Sequence, residues 1–413
     1  MRASRMILLI LSAGVLAASL NSPIRAQGAA QAAPASAAAP DPIQGLVTQL
    51  DLEKYKATIK GLTQFGDRRQ GTERNRAAVD WIEAQLKSYG CQNIERITYE
   101  YQPPAPRAPG AAPAAPAGRG TTQVAQGGGR PRGMRTRTGV NTDSLAQTDL
   151  KLRALNSQPT TPGKRQEVIC MKVGTTHPEE MYIVGAHMDG HGWGEAANDD
   201  GSGTAIVMEL ARILSNPDVK TERSIRFALW NNEETGLNGA RAYAEQRAPL
   251  QGKESPVGSG KYPEPKWLGM IQHDMMMFDH GMPNPDGTIP KDQRPEADVN
   301  IEFQVASKMA APSQALAWQL QQANEKYATD YPASVSSHMT NTDSGPFQDL
   351  VASISLRENE RGTQIGNGWD PHWHQVTDVY ATFSDKDFRL GLNAAQTTLG
   401  AVATLVGTTV VKK

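Results

Sequence analysis

The chain has 413 residues, of which 38% are hydrophobic and 21% are charged, and its formal net charge is −1 at pH 7. This length accommodates one large domain or two ordinary ones, and the composition is typical of a soluble globular protein. The near-zero charge excludes an overall electrostatic field that would draw the protein to nucleic acid or to an acidic membrane.

The first 26 residues have the pattern of a secretory signal peptide. Two arginines precede an apolar run from Met6 to Leu20, and the small residue Ala26 marks the expected cleavage point. The run is shorter than the roughly 20 residues that span a bilayer, which disfavours the alternative of an uncleaved anchor. We therefore expect a periplasmic or secreted protein with no stable membrane insertion after removal of the signal. Residues 27–41 lack large apolar side chains and are expected to form a disordered tether.

A single domain is expected over residues 42–413, and it contains one unusual segment. Helical periodicity predicts helices over 52–65 and 73–89. Residues 102–142 are rich in Pro, Ala, Gly and Arg and contain no Asp or Glu, so we expect a long loop between two strands. A basic loop can bind a polyanion, but the composition favours a solvated insertion.

From residue 167 onward, short apolar segments alternate with helical patterns. Strands are expected at 167–173, 182–187, 225–230, 268–273 and 351–356, and helices at 203–214, 236–247, 313–326 and 385–405. This alternation predicts an α/β three-layer sandwich, with a mixed, mostly parallel central sheet and helices on both faces. Sheets of this kind place their chemistry at the carboxyl ends of the strands.

The two cysteines are candidates for a disulfide in an exported protein. Cys91 precedes a strand predicted at 93–101, and Cys170 lies in the strand that begins at residue 167. If these strands pair antiparallel, the start of one meets the end of the other and a bridge becomes possible. Two buried thiols are the alternative.

Two short motifs carry residues suited to a metal site. His187 ends a predicted strand, and Asp189, two residues on, points to the same side and can hold the imidazole through its other nitrogen. Asp199 lies in the sequence Asn198-Asp199-Asp200-Gly201, which opens a predicted helix. A carboxylate can bridge two metal ions because it offers one oxygen to each, whereas helix capping is the alternative role.

Three further segments complete the constellation. Glu233 and Glu234 follow a buried strand and point apart, so one can bind a metal while the other acts as a general base. A charged helix start is the alternative for this pair. Asp274 ends the next strand, where His273 competes with it as a ligand. The late His374 is followed four residues on by Asp378, which can orient it.

The order His, Asp, Glu, Asp, His resembles metallopeptidase family 28, the secreted co-catalytic di-zinc aminopeptidases. The flanks Gly-Ala-His-x-Asp, Asn-Asp-Asp-Gly-Ser-Gly and Glu-Glu-x-Gly carry this resemblance, which covers about residues 52–405. It implies a zinc-exopeptidase-like fold and two zinc ions. The implied metal ligands are His187, Asp199, Glu234, Asp274 and His374. Asp199 is the implied bridge and Glu233 the implied general base, with Asp189 and Asp378 supporting the ligands and a cis peptide bond after Asp199.

One departure from the family pattern concerns the oxyanion. Some relatives have a tyrosine just before the last ligand histidine, whereas this chain has Trp373, a possible contact for the substrate oxyanion. The sequence thus predicts an exported zinc aminopeptidase that acts on peptides. The alternatives are a carboxypeptidase of the same family, a glutaminyl cyclase and a non-catalytic peptidase-like binding domain. The preferred N-terminal residue and the oligomeric state are not predicted.

Overall fold

The computed structural model describes residues 41–103, 140–278, 299–337, 341–358 and 370–411. The predicted signal peptide, the tether up to residue 40 and the arginine-rich part of the predicted loop lie outside the described residues. Within the described ranges, no helix is both long and apolar enough to cross a membrane.

The strands follow the predicted pattern and add several short ones. They are β1 (Gln92–Tyr101), β2 (Gly163–Lys172), β3 (His177–His187), β4 (Val219–Lys220), β5 (Arg223–Trp230), β6 (Lys266–His273), β7 (Val299–Phe303), β8 (Ala333–Ser336), β9 (Ser353–Arg357) and β10 (Thr409–Val410). In the part of the chain that the structure describes, eight strands form one sheet in the order β1-β2-β5-β3-β6-β9-β7-β8, and β4 pairs with β10 apart from it.

The centre of the large sheet is parallel and its flanks are mixed. β3 lies parallel to both β5 and β6, and β6 lies parallel to β9. β2 pairs antiparallel with β1 and β5, while β7 pairs antiparallel with β9 and parallel with β8. The predicted mixed, mostly parallel sheet is confirmed.

Helices cover both faces of this sheet. They are α1 (Pro42–Val47), α2 (Leu52–Thr63), α3 (Glu73–Ser88), α4 (Leu150–Asn156), α5 (Gly201–Leu214), α6 (Asn238–Arg247), α7 (Ala310–Tyr327) and α8 (Asp385–Leu405). Successive strand residues point to opposite faces, so Val184 packs in a cluster with α2, α3, α5, α7 and α8, whereas its neighbour Ile183 packs in a second cluster with α6. These two apolar clusters give the predicted three layers.

Cys91 and Cys170 form a disulfide that joins β2 to the residue just before β1. Their Cα atoms are 6.0 Å apart, and the bridge closes a sequence separation of 79 residues. β1 and β2 are antiparallel as expected, with Gln92 opposite Met171 in the register. The alternative of two free buried thiols is therefore wrong for this structure.

Candidate metal centre

The candidate site lies at the carboxyl edge of the three central parallel strands. β3 ends at His187, β5 leads into Glu233 and Glu234, and β6 ends immediately before Asp274. Because β5, β3 and β6 are neighbours in the sheet, the topology brings these residues together although they are far apart in sequence. His374 reaches the same place from a late loop.

Asp199 lies between the two histidines. Its Oδ1 is 3.3 Å from Nε2 of His187, and its Oδ2 is 3.0 Å from Nε2 of His374. Beyond these histidines, Asp274 Oδ1 is 3.8 Å from His187 Nε2, and Glu234 Oε2 is 3.0 Å from His374 Nε2. One carboxylate thus faces two separate pairs of donor atoms, with a different oxygen toward each.

Asp200 holds this arrangement in place. Its Oδ1 accepts hydrogen bonds from the backbone N–H groups of Gly203, at 2.9 Å, and Met275, at 3.2 Å, and its Oδ2 accepts from that of His187 at 3.1 Å. It is also the N-cap of α5, and the peptide bond between Asp199 and Asp200 is cis, as the resemblance implies. The side chains of Asp200, His187 and Asp274 also lie close enough together to form a metal-binding group. The oxygens of Asp200 are already engaged by backbone donors, so we assign it a structural role.

The two supporting aspartates make other contacts than those expected from their spacing. Nδ1 of His187 lies 2.9 Å from the backbone carbonyl oxygen of Asp189, whereas the nearer side-chain oxygen of Asp189 is 3.9 Å away. That carboxylate accepts from the backbone N–H of Glu233 at 3.0 Å. Asp189 therefore orients His187 through its backbone and positions the Glu233 loop through its side chain.

Asp378 supports the bridging residue and not the late histidine. Its two carboxylate oxygens accept hydrogen bonds from the backbone N–H groups of Asn198, at 2.8 Å, and Asp199, at 3.1 Å. The expectation that Asp378 orients His374 because it lies four residues beyond it is therefore wrong. In an irregular loop such a separation does not place two side chains face to face.

Glu233, the candidate general base, lines a cleft of about 300 Å³. The cleft is lined by His187, Asp199, Glu233, Glu234, Gly236, Asp274, Met275, Asn341, Arg357, Trp373 and His374. Burial raises the pKa of Glu233 well above its usual range, and the negative charges of Asp343 and Glu234 add to this against the opposing effect of His187. The indole of Trp373 lies against the His374 ring, with centroids 4.2 Å apart.

The sequence motifs did not predict two residues of the site, His191 and Arg357. Nε2 of His191 is 2.9 Å from Oε2 of Glu234, and the His191 ring stands perpendicular to that of His374. Arg357, at the end of β9, is buried and its guanidinium donates to Oδ2 of Asp274 at 2.6 Å. In the sequence, His191 is recognisable only as a histidine four residues after His187, and Arg357 only as a basic residue at the end of a strand. Neither pattern is specific for a metal site.

The charge balance and donor types of the site fit a divalent cation. Burial raises the pKa of Asp343 well above its usual range, and both of its carboxylate oxygens are buried without a hydrogen-bond partner. Burial alone would lower the pKa of His374, but the Glu234 and Asp199 carboxylates outweigh it and raise this pKa to about 10. Such an excess of buried negative charge is relieved by a metal ion. Imidazole and carboxylate ligands in close approach are the set that zinc accepts.

Solved structures with this fold include zinc aminopeptidases. A zinc aminopeptidase from Bacillus subtilis matches with a TM-score of 0.57 and 17% identity, covering 86% of this chain and 96% of that one. A glutaminyl cyclase from Porphyromonas gingivalis matches with a TM-score of 0.53 and 15% identity, covering 86% and 99%. At these identities the likeness establishes the fold, which is the α/β class of the zinc aminopeptidases.

Sequence comparison assigns the family within that class. The model of peptidase family M28 matches residues 167–396, more than half of the chain, so the protein belongs to peptidase family M28. Aminopeptidase YwaD of Bacillus subtilis is 32% identical over 127 residues, and carboxypeptidase Q of Xenopus laevis is 37% identical over 73 residues. These matches cover 30% and 18% of this chain but only 26% and 16% of the relatives' own lengths.

Proposed function

We propose that the protein is an exported zinc-dependent aminopeptidase that releases N-terminal residues from peptides. The observation that carries this proposal is the position of Asp199, with one oxygen facing His187 and the other facing His374. Membership of a peptidase family supports the hydrolase activity. The sequence relatives include both an aminopeptidase and a carboxypeptidase, so the direction of cleavage is proposed from the residues that line the cleft.

The described residues divide into two proposed metal positions. His187 and Asp274 would hold one zinc ion, Glu234 and His374 the other, and Asp199 would contribute an oxygen to each. Bound zinc supplies Lewis acidity that polarises the scissile carbonyl and makes water a stronger nucleophile near neutral pH. Arg357 holds the second oxygen of Asp274 and leaves its first oxygen facing His187.

Glu233 is the proposed general base and general acid. It takes a proton from the attacking water and returns that proton to the leaving amine, which requires a carboxylate that faces the cleft and is not itself consumed as a ligand. The backbone N–H of Glu233 donates a hydrogen bond to the Asp189 carboxylate, which fixes the position of the Glu233 backbone and therefore of its Cβ. Trp373, on the cleft wall, is the proposed contact for the carbonyl oxygen as negative charge develops there.

The charge of the cleft favours an aminopeptidase over a carboxypeptidase. Four carboxylates line it, but three of them are proposed metal ligands whose negative charge bound zinc would offset, so Glu233 is the carboxylate left to attract a substrate's α-ammonium group. Among the described lining residues, Arg357 is the only lysine or arginine, and its guanidinium already donates to Asp274. A carboxypeptidase needs a cation free to receive the terminal carboxylate of its substrate.

Export is supported by two independent features. The N-terminal pattern predicts a cleaved signal peptide, and disulfides such as Cys91–Cys170 persist in oxidising compartments outside the cytosol. N-terminal sequencing of the protein recovered from the periplasm or medium should start near residue 27. Recovery of an intact Met1 from the cytosol would contradict this part of the proposal.

Mass spectrometry of one unblocked peptide that begins Gln-Leu tests the activity. We expect stepwise shortening from the N-terminus, lost with a zinc chelator and in Glu233→Gln, but kept in Glu245→Gln, which changes an exposed acid on α6. Shortening from the C-terminus would indicate a carboxypeptidase, and loss of ammonia alone would indicate a glutaminyl cyclase. An unchanged peptide together with a protein that binds no zinc would indicate a non-catalytic binding domain.

A further inference from the structure

His191 lies in the loop between β3 and α5 with its imidazole inside the candidate metal centre. Its side chain is 10% exposed, and Nε2 is 2.9 Å from Oε2 of Glu234. That nitrogen is buried and lies at ion-pair distance from the carboxylate, but the two groups do not have the geometry of a hydrogen bond. A close nitrogen–oxygen approach without a hydrogen bond is expected when both atoms are ligands of one ion.

The position of His191 is set by close packing of its loop on the His374 loop. A Cβ at Gly192, whose φ is +97°, would lie 2.4 Å from both the carbonyl carbon and the oxygen of His374, so only glycine permits this backbone contact. Asn141 joins the two loops by donating its backbone N–H to the His374 carbonyl at 2.9 Å and its side-chain amide to the Gly192 carbonyl at 3.3 Å. His191 and His374 are therefore held together, with ring centroids 4.0 Å apart.

We propose that His191 is a ligand of the metal ion held by Glu234 and His374, an inference that rests on the metal centre of the proposed function. The candidate ligand atoms of these three residues all lie within 4.8 Å of one another. Oε2 of Glu234 is 2.9 Å from His191 Nε2 and 3.0 Å from His374 Nε2. Ligands about 2.0–2.1 Å from a tetrahedral zinc ion lie roughly 3.3 Å apart, so the observed separations need only a small expansion.

This assignment makes the two metal positions unequal. With Asp199, the position at His374 has four protein ligands, of which two are imidazoles, whereas the position at His187 has three. Four protein ligands make a closed zinc site and three leave a position open for water or substrate. We therefore assign substrate contact to the His187 position and tighter retention of its ion to the His374 position.

Metal titration of the metal-free protein tests the assignment. Wild type and His177→Gln, which changes a half-buried histidine beside Glu179, are expected to bind two zinc ions in competition with a chromophoric chelator. In His191→Gln one of the two affinities should fall at least about 100-fold, the upper end of the loss caused by removing an outer partner of a ligand. The absorption spectrum of the cobalt(II)-loaded protein should change in His191→Gln only.

The outcomes distinguish a failure of the His191 assignment from a failure of the proposed function. Two zinc ions bound by His191→Gln with wild-type affinities and an unchanged cobalt spectrum would overturn the ligand role and leave the proposed function standing. A wild type that binds no divalent ion would overturn both. If His191→Gln fails to fold, X-ray absorption of the two-zinc wild type decides the matter by counting imidazoles: three over the two ions if His191 coordinates, two if it does not.

Discussion

Removal of the Cys91–Cys170 disulfide tests how much this bridge stabilises the folded protein by restricting the unfolded chain. The bridge closes a separation of 79 residues, for which the chain-entropy relation gives a stabilisation of about 4.5 kcal/mol at 25 °C. For the roughly 300 residues that the structure describes, an unfolding entropy near 2.1 cal/mol/K per residue converts this into a fall in Tm of about 7 °C. The effect reaches the site because β2, which carries Cys170, pairs with β5, which leads into Glu233.

Calorimetry on a double-mutant cycle of Cys91→Ala and Cys170→Ala measures this effect. Either single change breaks the bridge, so each should lower Tm by about 7 °C, and the double variant should lower it little further. Thiol titration in denaturant should find no free thiol in the oxidised wild type and one in each single variant. Small single effects that add in the double variant, or two free thiols in wild type, would refute the reasoning.

Three other changes probe the site. Arg357→Met leaves the buried Asp274 without its closest counter-charge and should lower the free energy of unfolding of the metal-free protein by about 3–5 kcal/mol in urea, whereas an unchanged midpoint would show that the pair is not formed. Gly192→Ala should weaken zinc binding because its Cβ meets the His374 backbone, and Gly258→Ala, also at positive φ but with open space around it, should leave zinc binding unchanged. Zinc at 100 times the dissociation constant of one site should stabilise the metal-free protein by about 2.7 kcal/mol through that site alone, and the second site should add to this. A Tm that is unchanged by zinc and by chelator would contradict a metal centre.

The strands that carry the chemistry were predictable because each is an apolar run that stops at a polar motif. β7 was missed because two of its residues, Asn300 and Glu302, are polar although buried, and they hydrogen bond to each other at 2.9 Å. β8 has only four residues, all half-buried, and no apolar run. The short helices α1 and α4 have six and seven residues, which is too few for a helical periodicity of apolar residues to be recognised.

The site residues were easier to predict than their contacts. The motifs indicated which side chains gather at the sheet edge, since parallel strands end there together. They gave no information on which atom of Asp189 meets His187, or that Asp378 binds the backbone of Asn198 across the fold. Those contacts depend on how separate loops pack, and the same holds for His191, which reaches Glu234 only because its loop lies on that of His374.

The hydrogen bonds of Asp200 have a consequence for how an ion would enter. This one carboxylate joins the backbone of His187, the start of α5 beside Asp199 and the backbone of Met275 beside Asp274. Three ligand-bearing segments are therefore brought into register by folding itself, before any ion arrives. Ion loss and return are expected to leave the backbone unchanged, with exchange rates set by passage through the cleft and by shedding of the ion's own hydration water. The protein would thus keep its shape in a zinc-poor surrounding and become competent as soon as the ion is supplied.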